Sequence, residues 1–232
     1  MRHVLGRWIV GAASRGCRAP VCGLLVLAAT LSPRVAAGGQ QPRAVVIENF
    51  ESGTLAGWSL TVTGNGGWFI YTKGATPPDP SKSDPNAPFN VPDPPQGKFA
   101  AVSDMNGPGT RILSRDITLD GRYVLHLTLF YVNGANDFVS AKTLSHDAED
   151  NQQFRIDLVK TSAPVDSLAD GDVLANVFHT SPGDPRQRSP GDVSFDLSRW
   201  QGQTVRLRLA SADNHGPLRV GVDDIRLEAI GR

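Results

Sequence analysis

"QTVRLRLASADNHGPLRVGVDDIRLEAI", residues 203–230, contains two apolar runs joined by a Gly-Pro turn. In the first run Val205, Leu207 and Leu209 alternate with Arg206 and Arg208. Neighbouring side chains on a strand point to opposite faces, so this alternation predicts a half-buried β-strand. The second run carries two adjacent carboxylates, Asp223 and Asp224, in its middle. By the same rule one of them should point inward, where an unpaired carboxylate is costly. Spacing alone leaves open which one.

Outward from this stretch the strand signature recurs, bounded by Gly, Pro, Asn and Asp. Earlier candidates are "AVVIENF", "GWSLTVT", "GWFIYT", "KFAAVS", "TRILSRDITL", "RYVLHLTLFYV", "QFRIDLVK", "DVLANVF" and "DVSFDLS". Leu125, Leu127, Leu129 and Tyr131 share one face of the sixth candidate, and Phe154, Ile156 and Leu158 share one face of the seventh. No long segment places apolar residues at helical spacing. One apolar face per strand predicts an all-β fold, a two-sheet antiparallel β-sandwich of the jelly-roll kind. Three stretches interrupt the rhythm. Residues 72–98 are proline-rich and predicted to be a long surface loop, and residues 133–152 are polar with room for one short helical turn. Residues 179–192 contain Ser-Pro-Gly-Asp twice, at Ser181 and Ser189, and read as loop.

The first 37 residues follow another logic. Four arginines and no acid precede the apolar run "VCGLLVLAATL", and small residues follow it. That order predicts a secretory signal peptide over 1–37, a short linker over 38–43 and one sandwich domain over 44–230. The apolar run is shorter than the roughly 20 residues that span a bilayer, so no membrane insertion is expected after cleavage. Both cysteines, Cys17 and Cys22, lie in the signal. Cleavage after Ala37 removes five arginines and leaves 18 basic against 23 acidic residues, a formal charge of −5. A secreted or periplasmic, mildly acidic chain without cysteine does not suit nucleic acid.

Three motifs carry a resemblance. "IENFESGTLAGW" (47–58) resembles the opening of secreted jelly-roll domains that begin Phe-Glu-x-Gly-x-Leu-x-Gly-Trp. "RILSRDITLDGRYVLHLTLFYV" resembles their middle, and "FDLSRWQGQTVRLRLASADNHGPLRVGVDDIRL" resembles their ending. The group comprises MAM-like domains and galactose-binding-like, carbohydrate-binding-module-like domains. The resemblance implies first and last strands that lie together, often beside a structural calcium ion. It therefore nominates Glu48 and Glu51 from the first strand, Asp104 from the "SDMNGPG" turn, and Asp223 and Asp224 from the last as Ca2+ ligands. Calcium takes six to eight oxygens, and acids on adjacent strands repel unless a cation neutralises them. The competing reading pairs these acids with Arg219 and Arg226 or uses them to cap turns.

Sugar recognition commonly uses an aromatic ring. The resemblance places Trp58 and Trp200 in the core, which leaves Trp68 and Tyr71 as surface candidates. "DNQQFR" adds Asn151, Gln153 and Arg155, whose planar amides and guanidinium suit hydroxyl or carboxylate groups. Catalytic motifs are missing from the sequence: there is no Gly-x-Ser-x-Gly, His-Glu-x-x-His or phosphate loop. The expectation is an exported, non-catalytic binding or adhesion module for carbohydrate, stabilised by calcium. The alternatives are a MAM-like domain that binds a cell-surface or extracellular protein, and a glycan-active hydrolase or lyase.

Overall fold

A computed structural model describes residues 44–72, 91–105 and 107–231. The expected signal peptide and linker, and most of the proline-rich segment, lie outside the described residues. Among the described residues eleven strands form two antiparallel sheets, as the alternation predicts. The strands are β1 (Ala44–Glu48), β2 (Ser59–Gly64), β3 (Gly67–Thr72), β4 (Phe99–Asp104), β5 (Gly109–Thr118), β6 (Tyr123–Asn133), β7 (Gln152–Val159), β8 (Val173–His179), β9 (Gln187–Asp196), β10 (Thr204–Asp213) and β11 (Leu218–Ala229). One sheet has the order β3-β4-β11-β6-β9, with β1 also paired to β11; the other has the order β2-β5-β10-β7-β8. The last two strands in sequence, β10 and β11, are thus the middle strands of their sheets. Among the described residues no helix is long and apolar enough to cross a membrane.

The core lies between the sheets and uses the predicted faces. Leu125, Leu127 and Leu129 from β6, Phe154, Ile156 and Leu158 from β7, and Val205, Leu207 and Leu209 from β10 are fully buried. Burying each such side chain contributes about 1.5–3 kcal/mol relative to exposure. Trp68 on β3 approaches Phe154 on the opposite sheet, with ring centroids 6.4 Å apart. A smaller cluster of Tyr71, Val91, Ala100, Val102 and Phe130 covers the outer face of the first sheet. Gly221 makes that cluster possible: a Cβ there would lie 1.9 Å from the Phe130 ring. Glycine inside a strand often marks such a close approach.

Two expectations change. The second Ser-Pro-Gly-Asp is not a loop, because Ser189–Asp192 belongs to β9. Strand β9 is the edge of its sheet, where proline costs no ladder hydrogen bond. Residues 133–152 are irregular and are pinned by the isolated bridge Val139↔Gln152. The helical turn falls at Ser198–Trp200 instead, as a single turn of 3₁₀-helix.

Candidate functional site

The two aspartates of β11 separate for a reason that alternation does not contain. Val220 and Val222 face the core, so strict alternation would send Asp224 inward as well. The β6–β11 register instead shifts by one residue between Asp223 and Arg226, and Asp224 sits in the left-handed region at φ 48°. This bulge consumes Asp224 and gives the next inward place to Ile225, which is fully buried. Asp224 pairs with Arg226 at the surface. Asp223 keeps the opposite face, with Thr128 across from it, and is fully buried there. One aspartate is therefore buried, as expected, but beneath a covering segment rather than in the central core.

That segment is Gln96–Phe99. The Gln96 N–H donates to Asp223 Oδ2 at 3.2 Å, and the Asp224 N–H donates to Oδ1 at 2.7 Å. Glu51 Oε1 accepts from the N–H groups of Lys98 and Phe99 at 2.8 and 2.9 Å. Gly97, at φ 59°, lies so close that a Cβ would sit 2.3 Å from the Glu51 carboxyl carbon. Burial pushes the Asp223 carboxyl up to about 6, and the negative charges of Asp224 and Glu51 add to that rise against the two backbone donors. Neither Asp223 nor Glu51 has an arginine or lysine partner among the described residues. The other nominated ligands are engaged elsewhere. Glu48 accepts the Phe50 N–H at 2.9 Å and lies 3.6 Å from Arg115. Asp104 bonds Arg219 at 2.8 Å, at the opposite end of β4 and roughly 16 Å along the strand from Phe99. Asp104 thus leaves the expected ligand set. Among the described residues no three His, Cys, Asp or Glu side chains converge to hold a metal.

Burial takes Trp68 and Tyr71 away from the surface, and hydrogen bonds engage the other three nominated residues. Trp68 is 2% exposed, and its indole N–H donates to the Arg111 carbonyl at 3.3 Å, so it is a core residue. Tyr71 is likewise buried, in the outer cluster. Asn151 and Gln153 spend their amides on the backbone of the covering loop. Asn151 Nδ2 donates to the carbonyls of Thr143 and Ser145, and Gln153 Nε2 to those of Ala141 and Thr143. Arg155 donates twice to Asp157, from Nε at 2.7 Å and Nη2 at 2.9 Å. Asn151 and Gln153 thus fasten a loop to the sheet, while Arg155 holds Asp157 within β7. The sequence signal for that role was the run of side-chain amides at a strand entry.

The outer face of the second sheet is more open. A loop carrying Val165 and Leu168 crosses it and packs on Ile112, Leu144, Ala210 and Ala212. Beneath this loop Arg208 and Asp157 form a fully buried ion pair at 2.7 Å. Burial alone would raise the Asp157 carboxyl, but the hydrogen bonds from Arg155 and the charge of Arg208 outweigh it and hold the group below the usual carboxylate range. On the β2 side of the loop lie two adjoining recesses of about 360 and 350 Å³, which share Thr61 and Val165. Thr63 and Thr110 line the first, Ser114, Asp116 and Arg206 the second. A recess of about 470 Å³ on the other side is lined by Lys142, Gln153, Arg155, Asn176 and His179. No Phe, Tyr or Trp is among these lining residues. Sequence reasoning missed this face, since serine and threonine scattered over β2 and β5 leave no motif.

No protein-family model matches the chain. The curated proteins likewise return no match. Among solved structures the chain is similar to the K1 cleaved adhesin domain of Lys-gingipain from Porphyromonas gingivalis W83, at 11% identity and a TM-score of 0.47 over 82% of this chain and 99% of that one. It is also similar to TmCBM61 in complex with β-1,4-galactotriose, at 10% identity and a TM-score of 0.46 over 78% and 94%. A third is the family 11 carbohydrate-binding module from Clostridium thermocellum in complex with a β-1,3-1,4-mixed-linked tetrasaccharide, at 11% identity and a TM-score of 0.39 over 81% and 96%. The two-sheet sandwich stands on the chain's own strand pairing, independently of these likenesses.

Proposed function

We propose that this chain is an exported, non-catalytic binding module that takes a carbohydrate on the outer face of its second sheet. The observation that carries this reading is the trough along β2 and β5, where hydroxyls and one carboxylate–guanidinium pair line two adjoining recesses. Asp116 and Arg206 bond each other at 2.9 Å and supply the planar hydrogen-bonding groups that suit vicinal hydroxyls. The described histidines do not form a cluster: His126, His146 and His215 lie separately beside Glu228, Asp147 and Asp150, and His179 bonds Asn176. We further propose that a structural calcium ion lies between Glu51 and Asp223, with backbone carbonyls and water completing its shell. Two carboxylates without a cation, at the place where β1 and β11 are both irregular, support it.

A glycan array probed with the full chain, in calcium and in chelator, tests the carbohydrate reading. Retained signal that is lost in Arg206→Ala supports it; no glycan above background overturns it. The second reading, a protein-interaction domain, is favoured by the lack of Phe, Tyr or Trp among the lining residues.

A further inference from the structure

Strand β2 is the edge of the second sheet, and all six of its residues are exposed. Leu60 is 48% and Val62 39% exposed. An unprotected edge strand is a template for another strand, and proteins blunt such edges with proline, charge, bulges or cover. The other edges of this molecule are blunted. Strand β9 carries Pro190, Arg188 and Asp192 together with a register shift against β6. Strand β8 is shifted twice against β7. Strand β1 is shifted against β11 and ends in Glu48, while β3 buries half of its residues. Strand β2 has none of these devices. It pairs with β5 in unbroken register from Ser59↔Ser114 to Gly64↔Gly109. It also lies inside a 21-residue stretch, 52–72, that contains no charged residue.

We propose that β2 pairs antiparallel with β2 of a second copy of this chain, joining two five-stranded sheets across a two-fold axis. A second copy suits this edge because a charge-free strand meets itself without like charges opposed, which would destabilise the pair. The alternation also narrows the register, and only the alignment centred on Thr61 sets both apolar residues of the strand against each other. Leu60 and Val62 share one face, and Ser59, Thr61 and Thr63 the other, so pairing Thr61 with Thr61 sets Leu60 against Val62 and Ser59 against Thr63. A shift by one residue would set apolar against hydroxyl side chains throughout. Five paired residues and two apolar contacts make a small interface, so the dimer belongs to the weak, concentration-dependent class, below about 1,200 Å².

Sedimentation of the full chain over rising concentration should show the mass moving from one copy to two and stopping there, because a two-fold contact closes on itself. Val62→Lys should remain a monomer throughout, with an unchanged thermal melt, while Val46→Lys on β1 should still dimerise. In a Cys17→Ser, Cys22→Ser background, Thr61→Cys should form a disulfide dimer on oxidation and Thr63→Cys should not, since only residue 61 opposes itself. The cysteine pair remains decisive if Val62→Lys fails to fold. A chain that stays monomeric, as it would if this edge served another protein, overturns the proposal. So do open-ended oligomers, or equal cross-linking at residues 61 and 63.

Discussion

Asp223 and Glu51 hold the same four-residue segment from its two ends, Asp223 through the Gln96 N–H and Glu51 through those of Lys98 and Phe99. Each is an acceptor only, and their charges repel across the segment. A cation between them would turn that repulsion into a tie between the first turn, the covering segment and the last strand.

If calcium fills that role, it stabilises by mass action, by about 2.7 kcal/mol at one hundred times its dissociation constant. For a domain of this size that is roughly 2–4 °C per kcal/mol. The melting temperature should fall in chelator, and Asp223→Asn should remove the calcium response. Asp224→Asn should leave it, since Asp224 faces Arg226 and Asn tolerates the left-handed conformation. A wild-type melt indifferent to both calcium and chelator would sink the metal proposal.

Without calcium Asp223 contributes a pH dependence of definite sign, in the same direction as that of buried Asp213. The Asp223 carboxyl is raised to about 6 in the folded chain, above its unfolded value of 3.8. The folded state therefore holds the proton more tightly, and stability should decline as pH rises from about 4 to about 6. Saturating calcium should flatten or reverse that slope, and Asp223→Asn in chelator should reduce it. Thermal melts in chelator that rise steadily from pH 4 to 6 would contradict this.

Asp157 gives the opposite sign. Arg155 and Arg208 hold its carboxyl below the ordinary range, so its contribution is present above about pH 4 and lost as the pH falls further. Asp157→Asn leaves Arg208 buried without its counter-charge and should cost about 3–5 kcal/mol at neutral pH. Urea titrations at neutral and acid pH check both statements. The variant's deficit should shrink on acidification, and a deficit independent of pH would refute the assignment.

Trp68 separates stability from recognition. As a buried residue packed near Phe154, it should cost about 3–5 kcal/mol when replaced by Ala. Trp68→Phe should fold and bind any glycan ligand as the wild type does. Loss of binding in a well-folded Trp68→Phe would return this residue to the site.

Gly221→Ala tests the outer cluster. The added methyl would overlap the Phe130 ring, and overpacking of this kind costs about 1–3 kcal/mol or more. Pairing it with Phe130→Leu, which vacates the space, should recover part of the loss. No recovery in the double variant would place the strain elsewhere.

The strands were legible because their apolar faces alternate cleanly, as in Leu125–Tyr131 and Val205–Leu209. The site was less so. The fate of Asp223 and Asp224 turns on a one-residue bulge, which carries no sequence mark when the residue in the left-handed position is aspartate rather than glycine. Asn151 and Gln153 were nominated from their chemistry, but a loop that arrives from elsewhere uses that chemistry up. Pro190 read as a loop because its strand is an edge, and edges are set by the order of strands in the sheet, not by the local segment.

The placement of β10 and β11 at the middle of their sheets has a consequence for synthesis. A ribosome makes these two strands after the other nine. Until residues beyond 204 are available, β5 has no partner on its inner side, β4 and β6 are not joined, and neither sheet can close. Such a chain forms isolated strand pairs at most while it is being made, and its long-range pairings make the final step slow. Cooperative folding therefore waits for β10 and β11, and an arrested nascent chain ending before Thr204 should be open to protease.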